Sequence, residues 1–187
     1  MIGNDIVDLN YAKKQSNWRR KGYLDKIYTQ AEQELIASYR NPDVMIWILW
    51  SMKEAAYKAN HRITNRREYA PKKIECSIVS AEHNIFRGTC GYNNLQYNCT
   101  TLIFEDYVSS IALHDQVVRQ ETEEIFLKNY PENYVEYLEN NNYFAPAIKI
   151  VKDLAGIPYF YNQNTKEFQP ISISHHGDYF SLVFFKK

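Results

Sequence analysis

The chain has 187 residues, and its 22 Lys and Arg balance 22 Asp and Glu, leaving no formal net charge at neutral pH. With 45% hydrophobic and 24% charged residues, and six Gly and six Pro, it has the make-up of one globular domain and not of a collagenous, linker-like or disordered chain. No run approaches the roughly 20 apolar residues of a membrane helix, and the acidic opening MIGNDIVDL is no secretory leader, so a cytoplasmic location is expected.

Taken in chain order, residues 2–9 alternate Ile2, Ile6, Val7 and Leu9 with Asn4, Asp5 and Asp8, a short strand whose acids are expected at its end or polar face. Residues 11–27 are basic and mixed. Thr29-Gln-Ala-Glu32 has the capping-box spacing that opens a helix over about 30–40, and Asn41-Pro42-Asp43 ends it. Val44 to about Asn60 reads as one strong helix. It holds good helix formers, no Gly or Pro, and a stripe of Trp47, Trp50, Glu54, Tyr57 and Lys58 at three- and four-residue spacing. Residues 61–73 are polar, basic and poorly periodic, a loop closed by Pro71.

Residues 74–118 form a predicted meander, with strands at Ile74–Ala81, Ile85–Cys90, Leu95–Thr100 and Tyr107–Leu113 between turn signals. Residues 119–140, rich in Glu and Leu, read as helix. Ala147–Leu154 is a strand or a helix end, Gly156-Ile-Pro158 is a break, and two terminal strands surround Ile171–Ser174 and Tyr179–Phe185. His175-His-Gly-Asp178 forms the turn between them. The fold class is α+β. One faint echo recurs: Asp106-Tyr-Val-Ser and Asp178-Tyr-Phe-Ser both lead into apolar runs.

Cys76, Cys90 and Cys99 are odd in number and lack C-x-x-C spacing, which argues against a disulfide framework or zinc site and for small apolar strand residues. The charge is uneven. Residues 1–75 hold 14 basic and 9 acidic side chains, and the remainder holds 8 and 13, so the N-terminal part presents a positive field suited to an anionic ligand or partner.

Three groups of residues can carry chemistry. Asp5, Asp8 and Glu54 are hard oxygen donors of the type that holds Mg²⁺ when phosphates and water complete its shell, although strand-end acids more often act as caps. Glu54 and Lys58, at i and i+4, share a helix face; on an open surface such a pair contributes a few tenths of a kcal/mol. Beside Trp47, Trp50 and Tyr57 the lysine is instead partly desolvated and suited to neutralising a phosphate or protonating a leaving phosphate. Alternation along the His175 strand puts Ile171, Ile173 and His175 on one face and Ser172, Ser174 and His176 on the other. Hydroxyls there suit phosphate or ribose recognition. No P-loop, dinucleotide fingerprint, nucleophile elbow or H-E-x-x-H motif is present.

Three segments, in order, resemble one family. Ile2-Gly-Asn-Asp-Ile-Val-Asp-Leu9 is similar to a G-x-D-[IV]-[VE]-[DE] opening, Trp50-Ser-Met-Lys-Glu-Ala-Ala-Tyr-Lys58-Ala59 to a W/F-x-x-K-E-A-x-x-K-A helix, and Ile171-Ser-Ile-Ser-His175 to an S-x-S-H strand. Together they resemble the 4′-phosphopantetheinyl transferases, with the order of the holo-acyl-carrier-protein synthase branch. The resemblance implies an antiparallel sheet packed against a long helix, in a single domain over 1–187 with an additional strand-rich and helical segment at about 74–140. It implies transfer of 4′-phosphopantetheine from coenzyme A to a serine of an acyl or peptidyl carrier protein, releasing adenosine 3′,5′-bisphosphate.

By the same resemblance Asp5 and Glu54 hold Mg²⁺, with Asp8 reaching it directly or through water. Lys58, and more weakly Lys53, face the phosphates, and His175, with Ser174 beside it, contacts the nucleotide end of coenzyme A. Glu54 or a metal-bound water is the base. Lys13, Lys14, Arg19, Arg20 and Lys21 form a docking surface for an acidic carrier. A trimer or a monomer is compatible with this length, which falls short of the two full repeats of the larger, pseudo-dimeric members. The Gly-rich segment that often follows the helix motif is replaced by His61-Arg-Ile-Thr-Asn-Arg-Arg67, so phosphate contacts from Arg62, Arg66 or Arg67 would be particular to this chain. Two other classes are kept: a coenzyme A or nucleotide binding protein of the same fold without turnover, and a basic module for an acidic protein or nucleic acid. Intact Asp5, Glu54 and Lys58 weigh against the first. Zero net charge and the lack of a nucleic-acid motif weigh against the second.

Overall fold

A computed structural model describes residues 1–114 and 121–186. They form an α+β fold of two antiparallel five-stranded sheets. The first is built from β1 (Ile2–Asp8), β2 (Glu75–Glu82), β3 (Ile85–Tyr92), β4 (Leu95–Ile103) and β5 (Tyr107–His114), in the order β1-β5-β4-β3-β2. The second is built from β6 (Thr122–Lys128), β7 (Ile148–Lys152), β8 (Pro158–Asn162), β9 (Phe168–His176) and β10 (Tyr179–Phe185), in the order β6-β10-β9-β8-β7. Each order is the other shifted by five strands. The Asp-Tyr-x-Ser echo falls at the equivalent starts of β5 and β10; within residues 74–140, β2–β5 complete the first sheet with β1 and β6 belongs to the second.

Four helices precede the first meander: α1 (Leu9–Gln15), α2 (Tyr23–Ile27), α3 (Gln30–Ser38) and α4 (Pro42–Thr64). Thr29 and Glu32 close the expected capping box on α3, and Pro42 starts α4 at its first turn, where a missing N–H is harmless. At 23 residues, α4 runs about 35 Å and outlasts its expected end by a full turn, stopping where Asn65 turns left-handed. His61 and Arg62 are therefore helical and not part of a loop. The predicted helix over 119–140 is corrected as well. Residues 119 and 120 lie outside the described residues, Thr122–Lys128 pairs with β10 as a strand, and only α5 (Tyr134–Asn140) is helical. Pro131 and cross-strand pairing overrule the helical propensity of the glutamates.

Apolar side chains of α4 pack with Val108 and Ala112 of β5, Phe86 and Cys90 of β3, and Tyr97 of β4 into the main core. A second core joins Leu138 of α5 to Leu127, Phe160, Ile171, Phe180 and Leu182. Ile2, Ile111, Leu113 and Val183 form a third, where the halves meet. Every residue of β1 is buried: Asp8 stands at its end, as expected, while Asp5 lies on a face that is polar but covered. A Cβ at Gly3 would overlap the Ala55 carbonyl and the Ala59 nitrogen, so glycine lets the strand lie directly on the helix backbone.

The outer edge of β1 is closed by side chains. The N–H groups of Asn4, Ile6 and Asp8 donate to Ser172 Oγ (2.9 Å), Ser174 Oγ (3.1 Å) and His176 Nδ1 (3.0 Å). Alternate residues of β9 thus act as the acceptor ladder that a paired strand would supply, and no edge donor of this run is left orphaned.

Candidate functional site

Asp5 lies in the middle of β1, between α4 and β9. Its Oδ1 accepts from Ser174 Oγ at 2.9 Å and from Lys58 Nζ at 3.2 Å. Lys58 Nζ also donates to the Asn4 carbonyl at 2.9 Å, so the strand backbone and the carboxylate together fix the lysine. Asp5 Oδ2 is buried without a hydrogen-bond partner, an expensive state for a carboxylate oxygen unless something else binds it.

Glu54 is one helical turn before Lys58. Burial, and then the negative charge of Asp5, push its carboxyl up to about 7, with Lys58 opposing. The Tyr69 hydroxyl is buried beside it, and burial, the Glu54 charge and a hydrogen bond to Glu54 raise that phenol too. Trp50, Tyr69, Tyr57 and His61 form a row of ring contacts along this side of the helix, from 4.9 Å between Tyr57 and Tyr69 to 6.0 Å at the Trp50–Tyr69 and Tyr57–His61 pairs. The row explains why the Glu54–Lys58 face is not an ordinary solvated ion pair.

A cleft of about 230 Å³ opens next to Lys58, lined also by His61, Arg62, Tyr134, Lys152 and His175. His175, at the end of β9, lies 5.7 Å from the Tyr130 ring and 6.2 Å from the Tyr134 ring. Burial and then the charge of Lys58 pull its pKa down, with Lys152 and His176 adding to the effect. Arg62 is 8% exposed, and burial lowers it to about 10.

The structure brings Asp5, Glu54, Lys58 and Ser174 together and sets His175 on the adjoining cleft. It does not bring Lys53 there. That lysine is fully buried, paired with Glu32 at 2.8 Å and donating to the Pro71 and Ile74 carbonyls; one residue from Glu54, it leaves the helix on another side and anchors the start of β2. Asp8 is already occupied. Its Oδ1 caps α1 at the Tyr11 N–H (2.9 Å) and its Oδ2 takes the Asp178 N–H (3.1 Å), while Gly177, at φ +55°, leaves room for that carboxylate. Ser174 turns toward β1 and Asp5. Of the arginines after the helix motif, Arg62 lines the cleft, whereas Arg67 donates to the Ala155 carbonyl at 2.9 Å. The sequence reading missed Lys152, His61 and Tyr134. Extending the helical stripe from Glu54 and Lys58 by one more turn would have reached His61 and Arg62, but no local pattern marks Lys152 or Tyr134.

The donor set fits a Mg²⁺ ion of the kind that keeps water and phosphate oxygens as its other ligands. Two carboxylates converge, one with an orphaned buried oxygen and the other kept largely out of water. Among the described residues no cluster of three or more His, Cys, Asp or Glu could cage a metal without such outside ligands.

A family model described as the 4′-phosphopantetheinyl transferase superfamily matches residues 1–112, a span that holds Asp5, Glu54 and Lys58 and ends in β5. No curated protein matches the chain. Among solved structures, the holo-[acyl-carrier-protein] synthase of Thermotoga maritima is 10% identical, with 86% of this chain and 82% of that one covered at a TM-score of 0.45.

Proposed function

The chain belongs to the 4′-phosphopantetheinyl transferase superfamily, and from that premise we propose that it moves the 4′-phosphopantetheine group of coenzyme A onto a serine of an acyl or peptidyl carrier protein in a Mg²⁺-dependent reaction. The observation that carries this reading is the convergence of Asp5, with its orphaned oxygen, Glu54 and Lys58 at the head of a cation-lined cleft. Asp5 and Glu54 would hold the ion, which when bound neutralises charge on the diphosphate.

The chain's own groups supply the rest. Lys58, fixed by Asn4 and Asp5, faces the diphosphate and stabilises charge on the departing adenosine bisphosphate. Glu54, beside the reacting phosphate, accepts the serine proton as oxygen attacks phosphorus in line with the leaving phosphate. Ser174 keeps Asp5 Oδ1 engaged so that Oδ2 faces its ligand. His175 and the tyrosines beside it receive the nucleotide end. Asp8 acts through the β9–β10 turn that it holds.

Lys13, Lys14, Arg20 and Lys21 are exposed on and after α1, with Arg19 held to Asp43 at 2.7 Å. This face suits an acidic carrier protein. Both halves contribute to one site, which supports a working monomer. Among the described residues no helix is long and apolar enough to cross a membrane, and a cytoplasmic location is part of the proposal.

The test is intact-mass spectrometry of an apo carrier protein incubated with this protein, coenzyme A and Mg²⁺, beside an EDTA control. The expected result is a metal-dependent gain of one phosphopantetheine. Coenzyme A binding with no gain on any of several carriers would overturn transfer and leave the non-catalytic binding protein.

A further inference from the structure

Cys76, Cys90 and Cys99 are free and buried, as small apolar strand residues would be, but the fold also brings them into contact. Cys76 Sγ lies 2.9 Å from Cys90 Sγ, and Cys99 Sγ lies 3.5 Å from Cys90 Sγ. The group sits on the face of the first sheet that packs under α4, where Cys90 also reaches the Met52 carbonyl at 3.7 Å. The proposed transfer uses none of the three thiols.

Strand register singles out one pair. Cys76 of β2 and Cys90 of β3 are direct cross-strand partners. The Cys76 N–H is donated to Glu32 Oε1 at 2.8 Å and so points away from β3, which makes this a non-hydrogen-bonded pair. Such pairs hold their Cα atoms about 4.5 Å apart with the side chains on one face, within the range that a disulfide spans. Cys99 is placed differently. It opposes Gly88 while Cys90 opposes Tyr97, so Cys90 and Cys99 are diagonal neighbours, whose Cα atoms stand about 7–8 Å apart, too far for a disulfide without backbone movement. Glu32 is itself fixed by Lys53 at 2.8 Å, which pins β2 at the level of the pair. Next to it, a Cβ on Gly88 would overlap the Ser77 carbonyl, so glycine keeps the two strands close.

We propose that Cys76 and Cys90 form an oxidation site: a thiol pair that a peroxide converts into a reversible cross-strand disulfide, tying β2 to β3 and leaving Cys99 as a thiol. Cys76 is the more accessible partner, at 8% exposure against 0% for Cys90, and β2 is the outer strand of its sheet. The Cys76 sulfur attacks one peroxide oxygen, the O–O bond breaks, and a sulfenic acid and water result. The Cys90 sulfur then attacks the Cys76 sulfur; the S–S bond forms, the S–O bond breaks, and the hydroxyl leaves with the Cys90 proton as a second water. Two thiols and one peroxide thus give one disulfide and two waters. Burial pushes the Cys76 and Cys90 thiols up, so the reaction is slow in the closed fold and waits on opening of the edge strand.

The experiment exposes the reduced full chain to hydrogen peroxide, quenches it with an alkylating agent and maps its peptides, with melting curves before oxidation, after it, and after dithiothreitol. The expected product is a Cys76–Cys90 linked peptide beside an alkylated Cys99, with a melting temperature higher by about 5 °C or more and full reversal by dithiothreitol. Cys99→Ala should still form the link, and Cys76→Ala should lose both the link and the rise. Should a cysteine variant fail to fold, the peptide map of the parent still decides. Three alkylatable thiols after peroxide, a link that includes Cys99, a link only between chains, or an unchanged melting temperature in the linked protein would each overturn the site. None of these readouts involves coenzyme A or a carrier protein, so the transfer reading stands or falls separately.

Discussion

The two halves of the molecule share a strand order and have opposite chemistry. Aligning the Asp-Tyr-x-Ser starts of β5 and β10 matches Asp5, opposite Ser110, with Ile125, opposite Leu182. The same alignment matches Ser174 and His175 of β9 with Leu102 and Ile103 of β4. Where the first half offers a 23-residue helix, the second has one of seven residues. Rings gather instead where the starts of β5 and β10 meet: Tyr107 packs against Phe104 at 4.4 Å, Tyr179 at 4.7 Å and Phe126 at 5.0 Å. One strand order thus carries two different linings: β1 lies against β9 with carboxylate and hydroxyl at facing positions, while the positions matched to them in the other half are apolar.

The comparison is most sharply broken at the reacting groups. Glu54→Gln and Lys58→Ala should each lower transfer by about 10²–10³-fold or more, the scale of losing one transition-state charge partner, with far-UV circular dichroism unchanged. Turnover at the parental rate in either would move the centre elsewhere. Next in size is the packing of the paired edge strands. Gly3→Ala drives a methyl into the α4 backbone and should destabilise the protein by about 3 kcal/mol or more, while Glu123→Ala, at the matching and exposed position of β6, should change little. Denaturant midpoints of the two variants decide this, and equal shifts would contradict the asymmetry.

A smaller effect is expected from strain held in the first half. The Glu54 carboxyl is raised from 4.5 to about 7, so the native state retains a proton there that the unfolded chain has released. Stability contributed by this group is present below about pH 4.5 and falls as pH rises through 7. In metal-free buffer, Glu54→Gln should therefore be more stable than the parent at pH 8 by about 1–3 kcal/mol, with the gap closing by pH 5; parallel pH profiles would show that Glu54 is not desolvated. The smallest change is His175→Ala, which should weaken coenzyme A binding by about tenfold or less without altering the denaturant midpoint, since His175 borders the cleft and not a core. Unchanged affinity would remove it from the ligand surface.

Much of this was legible in the sequence, for identifiable reasons. A four-residue spacing on a long helix is a local property, so the Glu54–Lys58 face could be read directly, and the three ordered segments pointed to a family that the match over 1–112 bears out. The α+β class followed from alternating patterns. Lys53 misled because the same helix carries it to a different neighbour: only the tertiary position of Glu32 shows that its charge is consumed in the core. The helix expected from residue 119 onward failed because cross-strand partners outweigh glutamate propensity. The repeated strand order was visible only as three matched residues in a run of four, since it depends on contacts distant in sequence.

The ladder by which β9 side chains receive the β1 backbone also dictates timing. Asp5 and Ser174 are 169 positions apart, and the Asn4, Ile6 and Asp8 donors wait on acceptors at 172, 174 and 176. On a ribosome the first strand emerges early and can meet α4 and β5, but its outer edge has no acceptors until nearly the whole described chain has followed it. The carboxylate, lysine and hydroxyl around Asp5 are therefore assembled late, and on the proposed reading a nascent or prematurely ended chain would lack transfer.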